Sequence, residues 1–130
     1  MKPYAFLLLQ RWLRTLCEGT PDEVVALYCP DAVLVPTFAN IRIGSDEIRD
    51  YFLEFMSRPG LCGRIDEWVE QSLGNIALVS GVYTFGWYGD EGGPTTAQAR
   101  FTLVAERRAG RWKIINHHSS AVPEEARVLH

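Results

Sequence analysis

The chain has 130 residues, of which 47% are hydrophobic and 22% charged, and its formal net charge is −3 at neutral pH. This length suits one domain with a buried core. The slightly acidic balance offers no basic field for nucleic acid or an anionic membrane, and no apolar run approaches the length of a membrane span. We therefore expect one soluble domain over 1–130, with 124–130 as a tail, and neither nucleic-acid nor membrane partners.

The cysteines and the N-terminus bear on the compartment. The three cysteines lack CxxC spacing and are odd in number: Cys17, Cys29 and Cys62. This pattern favours buried thiols in a reducing compartment. The short apolar run near the N-terminus is interrupted by Gln10, Arg11 and Arg14, and no small-residue cleavage site follows it. We therefore expect a cytoplasmic protein.

The first helix is predicted before Gly19 from apolar residues at helical spacing. These residues are Ala5, Leu9, Trp12, Leu13 and Leu16. A second helix begins where Thr20 can cap it, Pro21 suits its first position and Glu23 completes a capping box. Pro30 stops this helix after residues 28–29.

A short strand over 32–37 and a turn at 39–40 lead to a third helix, which begins at 44–45. The apolar face of this helix holds Ile48, Tyr51, Phe52 and Phe55. Four further strands are predicted, separated by hairpin-length turns: 65–73, 76–88, 96–106 and 111–119. The expected fold is α+β and cone-shaped, with three N-terminal helices packed on a curved antiparallel sheet and a pocket between them.

Alternation along the last strand places His117 and Ser119 on the same face as Ile115. Helices can cover only one face of the sheet. The other face would keep a partly apolar surface formed by Val82, Val104, Trp112 and Ile114. An exposed apolar patch of this kind usually indicates a partner, and a homodimer formed back to back through the sheet is the simplest closure.

The pocket would contain four hydrogen-bonding side chains if His117 and Ser119 face the helices. Tyr51 on the third helix and Thr37 at the end of the first strand would complete it. Each has a purely structural alternative: a core tyrosine or histidine with satisfied hydrogen bonds, or a hydroxyl bonded to nearby backbone. From residue chemistry alone, both interpretations stay open.

A metal or cofactor site is not expected. Adjacent His117 and His118 point to opposite faces of a strand and cannot share one ion. His117 with carboxylates from elsewhere stays an alternative. The chain has no glycine-rich phosphate loop, because 92–94 is a hairpin turn, and Ser119 lacks the context of a nucleophile elbow.

Two parts of the chain resemble a known family. One is residues 34–40 (LVPTFAN) with 50–52 (DYF), and the other is 100–102 (RFT), 110–112 (GRW) and 117–123 (HHSSAVP). Along nearly its whole length the chain is similar to the iota-class carbonic anhydrases. The wider group includes the association (hub) domain of calcium/calmodulin-dependent protein kinase II and the nuclear transport factor 2-like fold.

The resemblance implies a metal-independent enzyme that hydrates CO2 to bicarbonate, with Thr37, Tyr51, His117 and Ser119 as its catalytic residues and no cofactor. Val122 departs from the methionine usual before that proline. His117, with an ordinary pKa near ~6.5, would orient a neighbouring group or relay a proton. The substrate pocket is expected to include five further residues: Tyr83, Phe85, Phe101, Leu103 and Ile115.

Two other functions remain open. The first is a non-enzymatic module that binds a small ligand or assembles as a hub. Its pocket would not be cationic, because Tyr83, Leu103 and Ser119 occupy the positions of the hub arginines. The second is an isomerase or cyclase, which would need a pocket base, and no acidic residue is found at the predicted concave strand positions.

Overall fold

The structure is a computed structural model and describes residues 2–123, so the predicted tail 124–130 lies outside the described residues. Three helices and six strands follow one another in this part of the chain: α1 (Tyr4–Glu18), α2 (Pro21–Val25), β1 (Tyr28–Val35), β2 (Arg42–Ile43), α3 (Gly44–Phe55), β3 (Cys62–Leu73), β4 (Ile76–Tyr88), β5 (Pro94–Arg108) and β6 (Arg111–Ala121). The three predicted helices and the four predicted C-terminal strands are present.

The strands form one sheet in the order β2-β1-β6-β5-β4-β3. Neighbours are antiparallel except β1 and β6, which run parallel. The prediction of a wholly antiparallel sheet is therefore wrong at this pair. Hairpin turns fix only the pairing of consecutive strands, whereas α3 and four strands separate β1 from β6 along the chain.

Helix α2 ends earlier and β1 begins earlier than predicted. The capping box at Thr20 and Glu23 is present. The helix nevertheless stops at Val25, because the chain turns and the Leu27 carbonyl accepts a hydrogen bond from the Ile114 amide at 2.8 Å. This contact starts the pairing with β6 and places Tyr28 inside the core, 2% exposed.

Helix α1 lies across the concave face of the sheet and buries one apolar stripe: Ala5, Leu8, Leu9, Trp12, Leu13 and Leu16. Its own N-cap side chain makes no hydrogen bond. Instead the carboxylate of Glu70 on β3 accepts from the amides of Ala5 at 3.1 Å and Phe6 at 2.8 Å. A carboxylate at this end also faces the positive end of the helix dipole. A sheet residue thus fixes where α1 begins.

Two irregular positions bend the sheet. The pairing of β3 with β4 shifts between Ile65 and Glu67, and the pairing of β5 with β6 shifts between Val104 and Ala105. At the first shift Gly81 faces the bulged strand, where an added Cβ would lie 1.9 Å from the Glu67 carbonyl oxygen. Bulges increase local twist, and these two help to form the cone.

The second bulge overturns the predicted faces at the start of β6. Ala105 pairs with Ile114 and Val104 pairs with Asn116, so Ile115 is the extra residue. Ile114 is fully buried under the helices, and Trp112 stacks on Tyr4 of α1 with ring centroids 5.0 Å apart. Neither belongs to the outer face. Val82 and Val104 remain there, half-buried on the side away from the helices.

The cysteines also differ from the prediction. Cys17 at the end of α1 and Cys62 at the start of β3 are exposed and joined by a disulfide, with their Cα atoms 4.6 Å apart. Only Cys29 is a buried free thiol. The sequence spacing of 45 residues could not reveal that these two element ends meet. No helix within residues 2–123 is both long and apolar enough to cross a membrane.

Candidate functional site

A cavity of about 410 Å³ opens between the sheet and the α3 side of the molecule. Trp12, Tyr83 and His117 form part of its lining, and all three are nearly inaccessible to solvent. The exposed or half-exposed residues Phe38 and Arg42 also line it, and Phe38 is 85% exposed. The cavity therefore runs from the protein core to an open mouth.

All four predicted catalytic residues line this cavity: Thr37, Tyr51, His117 and Ser119. Thr37 lies in the loop after β1, Tyr51 on α3, and the other two on β6. The β6 bulge precedes His117, so His117 and Ser119 still share the concave face. Thr37 and Tyr51 are half-buried, and neither hydroxyl makes a hydrogen bond to another residue of the described part.

The predicted substrate-pocket residues divide into two groups. Tyr83 and Phe85 line the cavity. Phe101 and Leu103 do not, because both are buried in the core, and Phe101 stacks on Tyr83 with ring centroids 4.5 Å apart. Ile115 is also outside the cavity lining, because it is the extra residue of the bulge and packs, half-buried, against the hydrophobic core. For these three residues the prediction of direct pocket contact is wrong.

Three buried side chains and Ser119 form a hydrogen-bonded chain. The Tyr28 hydroxyl lies 2.9 Å from Nδ1 of His117, and the Tyr83 hydroxyl lies 3.2 Å from Nε2 of the same ring. The Tyr83 hydroxyl is also hydrogen-bonded to Oγ of Ser119. Both ring nitrogens of His117 are therefore occupied, and the chain reaches the cavity through Ser119.

Burial determines the protonation of His117. It lowers the pKa of the imidazole from 6.5 to about 3, with a smaller contribution from neighbouring His118. The ring is neutral at physiological pH, and both of its nitrogens are hydrogen-bonded to tyrosine hydroxyls. Of the two expected roles of His117, this arrangement favours orientation of the neighbouring groups over proton uptake.

The tyrosines of the site keep their protons. Burial raises the pKa of Tyr28, Tyr83 and Tyr51 above the ordinary value. Desolvation disfavours the phenolate, and for Tyr51 the nearby Arg58 guanidinium only partly offsets this effect. At neutral pH the inner part of the cavity thus presents neutral hydroxyl groups.

Charged residues also line the cavity, unlike the wholly neutral pocket that was expected. The Arg42 guanidinium lies 5.7 Å from the centre of the Tyr51 ring, and that of Arg58 lies 5.1 Å from the Phe55 ring. Arg58 also forms an ion pair with Glu54 at 3.2 Å. Glu54 lies in α3, and Arg42 and Arg58 lie just before and after it. The comparison with the hub arginines concerned only strand positions, so it did not indicate these charges.

Trp12, Tyr28, Arg42 and Arg58 are the important site residues that sequence reasoning missed. Tyr28 was assigned to the end of a helix, which concealed its strand position. Trp12 was placed correctly on the apolar face of α1, but nothing in helical spacing shows what that face meets. Within residues 2–123, no group of three or more His, Cys, Asp or Glu side chains is arranged to hold a metal ion.

The comparisons with known proteins identify the family. The family model of the calcium/calmodulin dependent protein kinase II association domain matches residues 5–123. A crystal structure from Xanthomonas campestris assigned to this association domain is 40% identical, with a TM-score of 0.86, 92% of this chain covered and 86% of the other. No curated protein sequence matches the chain.

Two more distant structures share the fold. A nuclear transport factor 2-like superfamily protein from Salmonella enterica is 16% identical, with a TM-score of 0.83, 95% of this chain covered and 92% of the other. The hub homology domain of the kinase from Chlamydomonas reinhardtii is 21% identical, with a TM-score of 0.76, 95% of this chain covered and 100% of the other. The expected nuclear transport factor 2-like fold is thus confirmed, and the chain belongs to the calcium/calmodulin dependent protein kinase II association domain family.

Proposed function

We propose that the cavity catalyses the reversible, metal-independent hydration of CO2 to bicarbonate. The observation that carries the proposal is the convergence of Thr37, Tyr51, His117 and Ser119 on one cavity. These are the residues that the resemblance to the iota-class carbonic anhydrases implies. The aromatic rings of Trp12 and Phe85 supply an apolar lining beside them, suited to an uncharged linear molecule.

The reaction forms a bond between a water oxygen and the carbon of CO2. The electron pair of one C=O π bond moves to its oxygen, and the water loses one proton. The hydroxyls of Tyr51, Thr37 and Ser119 donate hydrogen bonds to the oxygen on which negative charge develops. Preorganised donors of this kind contribute about 10²–10³-fold each in other enzymes.

The proton leaves to solvent or buffer at the cavity mouth. His117 is not assigned as its acceptor, because burial lowers the pKa of its imidazole to about 3. Without a base or a lowered water pKa, acceleration depends on positioning and on the fixed hydroxyl dipoles. Arg42 adds positive charge near the mouth, which favours the bicarbonate product over neutral CO2, whereas the charge of Arg58 is paired with that of Glu54.

The test is stopped-flow CO2 hydration by chelator-treated protein. We expect activity above the buffer rate, and a fall of tenfold or more in Ser119→Ala and Tyr51→Phe. The matched controls are Ser120→Ala and Tyr88→Phe, at exposed positions outside the cavity lining, which should retain the wild-type rate. A rate equal to that of buffer, or full activity in both site variants, would overturn the proposal.

A non-enzymatic binding or hub-like assembly module is the second candidate. The association-domain family and the half-buried Val82 and Val104 on the outer sheet face favour it. It predicts a homodimer through that face and no turnover. Light scattering on wild-type and Val104→Lys protein tests the interface, with Gln10→Lys, at an exposed position of α1 on the helix side of the sheet, as the control. A monomeric wild-type protein would contradict it.

A further inference from the structure

The disulfide between Cys17 and Cys62 lies in a cleft of about 490 Å³ between α1 and the edge strand β3. Both cysteines are exposed. This cleft shares no lining residue with the cavity between the sheet and α3. Exposed disulfides are more readily reduced than buried ones and are often regulatory or catalytic. A thiol in solution can therefore reach this disulfide at a place separate from the candidate active site.

Helix α1 contributes charged side chains to the same cleft. Gln10, Arg14 and Cys17 line it at spacings of four and three residues, which place them on one side of the helix. Glu18, four residues after Arg14, lines it as well. Arg14 and Glu18 are exposed, and neither forms an ion pair within residues 2–123. In the described chain, one unpaired cation and one unpaired anion thus flank the sulfur of Cys17 along α1.

The other arginines close to the disulfide are already paired. Arg64 lines the same cleft but forms an ion pair with Asp66 at 2.9 Å. A second cleft against the disulfide is lined by the segment after α3, and its one charged residue, Arg58, is paired with Glu54. The cleft between α1 and β3 is therefore the side on which a charged thiol gains most from binding.

We propose that this cleft is a thiol–disulfide exchange site for a small peptide thiol that carries free carboxylate and ammonium groups. Arg14 binds a carboxylate of the thiol by a charge-assisted hydrogen bond, and Glu18 accepts a hydrogen bond from its ammonium group. Because both side chains belong to α1, the bound thiol lies next to Cys17. Glutathione is a thiol of this class and serves as the probe.

The attacked sulfur is that of Cys17. The thiolate of the small thiol forms a bond to Cys17 Sγ, the bond between the two cysteine sulfurs breaks, and Cys62 leaves as a thiolate that takes a proton from water. Cys17 is the poorer leaving group, because its thiolate would lie at the negative end of α1 and beside Glu18. A second thiolate then attacks the sulfur of the bound thiol and releases Cys17. Two electrons pass from two small thiols to the protein, and the thiols leave as their own disulfide.

The carboxylate contact is tested on the oxidised whole chain with glutathione and with its diethyl ester, which masks both carboxylates. Mass spectrometry after acid quenching and alkylation measures the rate of reduction, which is divided by the thiolate concentration. We expect the rate with glutathione to be about fivefold higher, although the net charge of −3 of the chain opposes it. Arg14→Gln should remove most of this preference. Arg11→Gln, exposed on α1 but outside the cleft lining, should keep it.

The ammonium contact is tested in the same way with N-acetylglutathione. Its rate should be lower than that of glutathione by a similar factor, and Glu18→Gln should abolish the difference between the two thiols. The proposed binding site is overturned if glutathione and its ester react equally fast, or if Arg14→Gln leaves their difference intact. A chain whose Cys17 and Cys62 cannot be oxidised to an intramolecular disulfide would overturn the exchange site as a whole.

Peptide mapping of the intermediate tests which sulfur is attacked. Protein that is partly reduced with glutathione and then quenched with acid should carry the tripeptide on Cys17, with Cys62 as a free thiol. The tripeptide on Cys62, or equally on both cysteines, would overturn the assignment of Cys17. None of these measurements depends on CO2 hydration, so the proposed function and the exchange site can fail separately.

Discussion

The Tyr83 hydroxyl lies 3.2 Å from Nε2 of His117, although β5 separates their two strands. Tyr83 pairs with Ala99 and His117 pairs with Leu103 across β5. The small side chain of Ala99 leaves room for the tyrosine ring to lie over β5. The contact therefore joins β4 to β6 through side chains on the concave face, at the inner end of the cavity.

Tyr83→Phe tests this link. The variant keeps the ring but removes the partner of His117 Nε2 and of Ser119 Oγ. We expect the free energy of unfolding to fall by about 1–3 kcal/mol, because a buried polar group loses its partner. Urea denaturation measures the change. Tyr88→Phe removes an exposed hydroxyl on the same strand and should change stability by less than about 0.5 kcal/mol; equal losses in both variants would contradict the role of the link.

The buried His117 should make stability depend on pH. Its pKa is 6.5 in the unfolded chain and about 3 in the folded protein, so below pH 6.5 the unfolded state binds more protons. Stability should therefore fall as pH decreases from about 6.5 towards about 3, with a slope of at most about 1.4 kcal/mol per pH unit from this group. Above pH 6.5 its contribution should be constant.

Urea denaturation between pH 7 and 4.5 measures that slope. Most carboxylates stay ionised in this pH range, so their own contribution to the slope is small. His117→Gln retains hydrogen-bonding groups without proton uptake and serves as the control. The difference between the two slopes belongs to His117. Identical slopes would show that the histidine is not excluded from solvent as the structure places it.

The Glu70 contact with α1 gives a third prediction. Glu70→Ala removes the acceptor of two amides at the N-terminus of α1 and a favourable charge at the helix dipole. We expect a loss of about 1 kcal/mol in unfolding free energy. Glu67→Ala, on the same strand and exposed, is the matched control. A loss no larger than that of the control would mean that the amides are satisfied by water.

The disulfide gives a prediction that also bears on the compartment. It closes a loop with a sequence separation of 45, for which chain entropy predicts about 4 kcal/mol of stabilisation. Reduction, or the Cys17→Ser/Cys62→Ser double variant, should lower stability by about 2–4 kcal/mol. Cys29→Ser is the control for effects of the reducing agent on the buried thiol. Reduction should lower the stability of this variant by the same amount as that of the wild type.

Mass spectrometry after alkylation of protein from its native cells tests the cytoplasmic expectation. Disulfides persist mainly in oxidising compartments. Free Cys17 and Cys62 in freshly prepared protein would agree with a cytoplasmic location, and a linked pair would contradict it.

The sequence predicted that Thr37, Tyr51, His117 and Ser119 would lie around one cavity, but it did not predict the bulges of the sheet. Face alternation is valid only along an uninterrupted strand. The extra residue Ile115 reversed the assignment of Ile114 but left His117 and Ser119, which follow it, on a common face. The capping box at Thr20 was predictable because it is local. The Tyr28–His117 contact spans 89 residues and depends on the parallel pairing of β1 with β6, which no local pattern indicates.

Among the sheet positions outside the cavity, Gly81 should be the one at which adding a side chain lowers stability most. A Cβ added there would lie 1.9 Å from the Glu67 carbonyl oxygen, so the bulged strand β3 must move. We expect Gly81→Ala to lower the unfolding free energy by about 3 kcal/mol or more, since backbone atoms cannot yield as a flexible side chain does. Gly86→Ala is the matched control on the same strand, because its Cβ would approach no atom closer than 3.8 Å. Urea denaturation of both variants measures the difference. If Gly81→Ala is as stable as Gly86→Ala, the two strands do not approach so closely at the bulge, and the curvature that opens the cavity has another origin.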